Sequence, residues 1–191
     1  MEYTDLAKKV LAYGKRISKK LDHNYVGTEH LLLGLLHVKG SIAERVMNQE
    51  GIHEDDVYHL MEDLIDAERG VAIAERDGNT PKLDAILELA EKEAEFCDAV
   101  SVGTEHFLIA LIKTPDCAAT RLMNSMETNF QRMFQSVIAA MGKDGENYIR
   151  ERNNRNRKKG NNSQGTPTLD QYSRDLTRLA REGALDPVIG R

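Results

Sequence analysis

Two short runs in this 191-residue chain gather residue types that can hold charge. Gly27-Thr28-Glu29-His30 and Gly103-Thr104-Glu105-His106 are the same tetrapeptide, 76 positions apart. A glycine permits a close approach to the backbone, and a threonine can cap a helix. The first amides of a helix are unpaired and sit at the positive end of its dipole, so they favour an anion. A glutamate in that first turn repels a simple anion. A ligand carrying both phosphate and guanidinium would satisfy both features, with phosphate on the amides and Thr hydroxyl and the nitrogens on the carboxylate. The plainer alternative is that each Thr is an ordinary cap and each Glu only complements the dipole. His30 and His106 precede apolar runs, and the chain has no His-Glu-x-x-His or clustered Cys/His spacing, so buried, hydrogen-bonded imidazoles are expected rather than metal ligands. His37, His53 and His59 are expected at the surface. Cys97 and Cys117 lack a Cys-x-x-Cys spacing and read as buried free thiols.

The elements that must position these residues are themselves repeated. At the same offset Val26 matches Val102, Leu32 matches Leu108, Arg45 matches Arg121, Met47 matches Met123 and Thr4 matches Thr80, without gaps. Met1–Gly142 is therefore a tandem duplication. In its first unit, Leu6, Val10, Tyr13, Ile17 and Leu21 recur at helical spacing. A second helix opens at Thr28 and carries Leu31–Leu36, apolar nearly all round and so central. Ser41-x-x-Glu44 is a capping box for a third, and Val57, Leu60, Met61, Leu64 and Ile65 stripe a fourth. In the second unit Thr80-Pro81 and Thr114-Pro115 are expected to open the first and third helices, and Phe130–Met141 forms the last stripe before Gly142. Met47, Met61, Met123, Met126, Met133 and Met141 fall on these stripes as core filler. Gly14 sits inside the first helix, where a close helix crossing would account for it. The fold class expected is all-α: eight helices as two pseudo-twofold-related four-helix repeats, about residues 1–70 and 77–142.

After Gly142 the material changes. Met1–Gly142 holds 15 Lys+Arg against 24 Asp+Glu, whereas Lys143–Gly165 holds 7 against 3 and is rich in Asn. With Tyr148 and Ile149 as its larger apolar residues, 143–165 is expected to be a flexible linker. Leu169, Tyr172, Leu176 and Leu179 then mark a short helical tail. The acidic body argues against a primary nucleic-acid role. Arg150, Arg152, Arg155, Arg157, Lys158 and Lys159 could touch RNA, but a solvated linker is the better reading, because Tyr148 is its one stacking aromatic. The longest apolar run, Leu31–Val38, is shorter than the ~20 residues a bilayer requires. The start Met1-Glu2-Tyr3-Thr4-Asp5 has no secretory pattern, and two cysteines make no disulfide scaffold. A cytoplasmic protein, monomeric as the isolated chain and without membrane contact, is expected.

The doubled motif, in the setting His23-Asn24-Tyr25-Val26-Gly27-Thr28-Glu29-His30-Leu31-Leu32-Leu33-Gly34, resembles the Clp amino-terminal repeat domain, and within it the ClpC branch of the AAA+ unfoldases. Thr166-Pro167-Thr168-Leu169-Asp170, continuing through Ala184–Arg191, looks like the segment leading into the first ATPase module of that family, so residues 166–191 would be the incomplete start of that module. The resemblance implies a recognition domain that receives substrates and adaptor proteins for a motor feeding a peptidase ring. It further implies phosphoarginine binding at Gly27, Thr28, Glu29, Gly103, Thr104 and Glu105. A docking scaffold without a small-ligand site stays open beside it. The chain has no Gly-x-x-x-x-Gly-Lys-[Ser/Thr] loop, so no ATPase activity is expected here. ATP and magnesium would belong to the missing modules, and no cofactor or catalytic residue is expected in this chain.

Overall fold

Small polar residues set the helix starts of this chain. Thr4 Oγ1 accepts the Ala7 amide, Thr80 Oγ1 the Leu83 amide and Ser41 Oγ the Glu44 amide, each capping a first turn. The computed structural model describes residues 1–68 and 78–159, and side chains only within 1–61 and 78–155. Among the described residues the helices are α1 (Asp5–Lys20), α2 (Thr28–His37), α3 (Ile42–Gln49), α4 (Glu54–Glu68), α5 (Pro81–Phe96), α6 (Thr104–Ile112), α7 (Ala118–Ser125), α8 (Phe130–Ala140) and α9 (Lys143–Lys159). Helices α5 to α8 each start 76 residues after their counterparts α1 to α4. Even the left-handed residues Asp22 and Asp98, which close α1 and α5, keep that offset.

The two units are joined reciprocally. Tyr3 bridges Val102, and at the same offset Asn79 bridges Val26. The Thr4 amide donates to Val102 O at 2.9 Å and the Thr80 amide to Val26 O at 2.9 Å. Each unit's first helix thus starts beside the other unit's second helix, an arrangement consistent with a pseudo-twofold axis. Helices α2 and α6 fill the centre, with Leu31, Leu32, Leu33, Leu35 and Leu36 at 2% exposure or less and Phe107–Leu111 at 0%. α1 crosses α2 closely: a Cβ at Gly14 would lie 3.2 Å from His30 O, and one at Gly34 would lie 2.5 Å from Val10 O. The close crossing expected at Gly14 is present, and Gly34 makes the tighter contact.

Four details differ from the sequence reading. The buried stripe of α1 is Ala7, Val10, Gly14 and Ile17, while Leu6 is 36% exposed. The stripe is rotated because glycine at position 14 lets the backbone itself pack. Thr114-Pro115 does not open α7. Cys117 is its N-cap, and Thr120 Oγ1 accepts the Cys117 amide while Thr114 Oγ1 donates back to Ala110 O. Thr28 is not the cap of α2; Gly27 is, as described below. Finally, Lys143–Lys159, expected to be flexible, is helical and docked. Its Tyr148 is 2% exposed between Phe96 and Phe134, at ring centroid distances of 4.8 and 5.9 Å. The Tyr148 hydroxyl donates to Glu93 Oε2 (2.6 Å) and accepts from Lys113 Nζ (2.7 Å), and Lys113 pairs with Glu93 at 2.7 Å. The guanidiniums of Arg155 and Arg152 lie over Phe96 and Phe134. One buried aromatic with arginines four and seven residues on is enough to seat a helix, because the arginines cover apolar rings with their own planes. Leu64 and Ile65, residues 160–165 and the expected tail 166–191 lie outside the described side chains or residues.

Candidate functional site

The tetrapeptide closes on itself at each helix start. Gly27 N–H donates to His30 Nδ1 at 2.8 Å, and Gly103 N–H to His106 Nδ1 at 2.8 Å. Histidine at the third helical position thereby does the work a capping glutamate does elsewhere. The glutamate is displaced onto the glycine: a Cβ at Gly27 would collide with both carboxylate oxygens of Glu29, and one at Gly103 with those of Glu105. Glycine is needed at this position to leave room for the folded-back carboxylate. The Glu29 carboxylate accepts from its own amide, one of those an incoming anion would use.

Threonine has a different task from the one expected. Thr28 Oγ1 accepts the Ala119 amide at 3.1 Å, capping the first turn of α7 across the repeat boundary. The Thr28 hydroxyl in turn donates to the Glu29 carboxylate. Thr104 Oγ1 donates to Glu105 Oε2 at 3.3 Å. Both threonines are 2% exposed, so neither hydroxyl faces solvent. The glutamates do reach the surface, their side chains 12% and 18% exposed.

Burial pushes the Glu29 carboxyl above its ordinary range. Its own amide, the Thr28 hydroxyl, the Arg121 charge and the Tyr25 hydroxyl oppose that shift. Burial, with the charge of His23, holds His30 neutral, its pKa down at about 3. With Nδ1 accepting from Gly27, the His30 proton is on Nε2 and is directed to His23 Nδ1, 2.8 Å away. Among the described residues, His23, Glu29 and His30 place three donor atoms within 4.8 Å of one another. A metal there would have to take the Nε2 position that already carries that proton, so the donor set does not suit one. In the second unit His106 Nε2 faces Cys97 Sγ at 3.5 Å, and the thiol donates to Ala94 O. Burial raises the Cys97 thiol to about 11, an inert sulfur. Cys117 is likewise buried and free.

All six residues expected at the sites lie at two helix openings, three at each. The bridges bring a further helix start to each opening: Thr80 and α5 beside Gly27, and Thr4 and α1 beside Gly103. The sequence marked Thr4 and Thr80 as a matched pair, but their exchange between repeats is a tertiary fact that no local pattern records. The openings are not identical. Tyr25 and His23 flank the first, where Ser101 and Ala99 flank the second.

The family described as the Clp repeat (R) N-terminal domain matches residues 2–126. The chain is 35% identical over 191 residues to the negative regulator of genetic competence ClpC/MecB of Bacillus subtilis, covering 99% of this chain and 22% of that protein. It is 37% identical over 188 residues to the ATP-dependent Clp protease ATP-binding subunit ClpC of Staphylococcus aureus, covering 98% of this chain and again 22% of the relative. Its fold is similar to a solved complex of the ClpV N-domain with a VipB peptide, with a TM-score of 0.56, 18% identity, and coverage of 74% of this chain and 88% of that one. The chain thus spans about a fifth of the length of the curated relatives. With duplicated four-helix units, reciprocal bridges and a matched family domain over most of its described length, the chain belongs to the Clp repeat N-terminal domain family.

Proposed function

We propose that this chain is the substrate- and adaptor-receiving domain of a ClpC-type ATP-dependent unfoldase, and that it takes phosphoarginine-marked proteins at the openings of α2 and α6. The domain itself is an interaction module. Nucleotide and magnesium belong to ATPase modules outside it, and the ATPase and peptidase rings would be its partners through the parent protein. The VipB peptide named with the ClpV N-domain supports a peptide-receiving role for this fold. No helix among the described residues is long and apolar enough to cross a membrane; the proposed place of action is the cytoplasm.

One observation carries the ligand reading: two equivalent carboxylates, Glu29 and Glu105, folded back against the glycines that precede their helices and still partly open to solvent. A guanidinium draws such a carboxylate outward, which uncovers the amides for the attached phosphate. Calorimetry of the full chain with free phosphoarginine tests this. Binding by the wild type, lost when Glu29 and Glu105 are both changed to Ala, supports it; equal binding by the two proteins, or binding by neither, overturns it.

A second reading, a docking scaffold with no small-ligand site, is favoured by the burial of Thr28 and Thr104 and by the fully internal hydrogen bonding of the tetrapeptide. Under that reading Thr28→Ala costs ~1 kcal/mol of stability and changes no ligand affinity.

A further inference from the structure

Side chains of its own unit hold the loop that leads into α2. Ser18 Oγ lies 2.8 Å from Tyr25 O and 3.3 Å from His23 O and shares its proton between them, and the His23 ring pairs with His30 at 2.8 Å. The duplication loses both ties in the second unit, where Ser18 is matched by Ala94 and His23 by Ala99. The loop carbonyl taken up there is Cys97 O, and the donor is Asn147 Nδ2 of α9 at 3.3 Å. A tie that the first loop makes internally is supplied to the second by a helix outside the repeat.

We propose that α9 is a reversible clasp on residues 97–103: docked, it holds the loop before α6, and undocked, it frees that loop while the loop before α2 is unaffected. α9 can come away at modest cost. Among its residues up to 155, Gly145 and Tyr148 are the buried ones, and Asn153 and Asn154 are weak helix formers. A helix of this length is marginal without a surface to lie on. Its seat survives its departure, because Lys113 and Glu93 keep their own 2.7 Å pair and water can replace the Tyr148 hydroxyl. From Cys97 the contact continues inward, Sγ to His106 Nε2 at 3.5 Å, then His106 Nδ1 to the Gly103 amide at 2.8 Å. The loop so governed holds Val100 out at 95% exposure, so the docking of α9 sets how freely that apolar side chain moves. No ligand at either opening is needed for this coupling.

Residue-resolved hydrogen exchange on the full chain tests the clasp, with the amides of α2 as the control for folding. Tyr148→Phe alters no residue of the loop, yet amides 98–103 should quicken together with α9. Asn147→Ala should quicken 98–103 by roughly fivefold, the worth of one net hydrogen bond. Ser18→Ala should quicken 22–27 instead and spare 98–103. If Tyr148→Phe quickens α9 and 98–103 keep the wild-type rate, or if Asn147→Ala leaves that rate unchanged, the clasp is overturned. Quickening of 22–27 by Asn147→Ala overturns it equally, since the loosening would then be general. Should Tyr148→Phe lose protection in α2 as well, Asn147→Ala alone decides.

Discussion

His30 shows how much of this molecule turns on a single protonation state. Its Nδ1 must accept the Gly27 amide, which requires a neutral ring, and burial keeps it so down to about pH 3. An unfolded histidine takes up a proton near pH 6.5. The native state is therefore at its full advantage above that value, and loses it progressively as the pH falls toward 3. His106, also held low by burial, adds to the same slope. Melting temperatures between pH 7 and 4 should fall steadily for the wild type and less steeply for His30→Gln, whose side chain gains no proton. Equal slopes would show that this imidazole is not the group responsible. The Gly-Thr-Glu-His pairs were visible in the sequence as a repeated, charge-bearing signal. What each member does was not. Thr28 serves a helix 91 residues away, and a hydrogen bond of that span has no local trace.

Among the helices, the apolar ones were the most legible and α9 the least. Leu31–Leu36 is apolar on every side, so its central burial follows from composition alone. The 17 residues of α9 carry almost nothing apolar, and their docking depends on one tyrosine finding Glu93 on α5 and Lys113 just past the end of α6. Burial and the adjoining Glu93 charge hold the Tyr148 hydroxyl well above the usual phenol range, so it remains a donor at any physiological pH. Tyr148→Phe removes that donor and should weaken α9 by about 1.5–3 kcal/mol. Gly145→Ala acts on the same helix sterically, since its Cβ would meet the Ile138 carbonyl oxygen. Hydrogen exchange over 143–159 should quicken in both variants while α2 and α6 stay protected. Unaltered exchange in α9 would rule out the anchoring role.

The molecule as a whole is two units that complete one another. Each second helix starts against the other unit's first residues, and Arg132 of α8 holds Glu50 at the end of α3 with 2.7 and 3.0 Å contacts. A single repeat, residues 1–68, would expose the leucines of α2 that now meet α5, α6 and α7. It should show no cooperative thermal transition by circular dichroism, whereas 1–159 should melt in one step. A sharp transition in the half-molecule would contradict this interdependence.

Glu93, Lys113, Phe96 and Phe134, the partners of the tyrosine that seats α9, all belong to the second unit. Along its ~25 Å of length the chain is carried off one flank of an otherwise balanced pair. Two openings that share a tetrapeptide are therefore set apart by α9, which rests on α8 of the second unit.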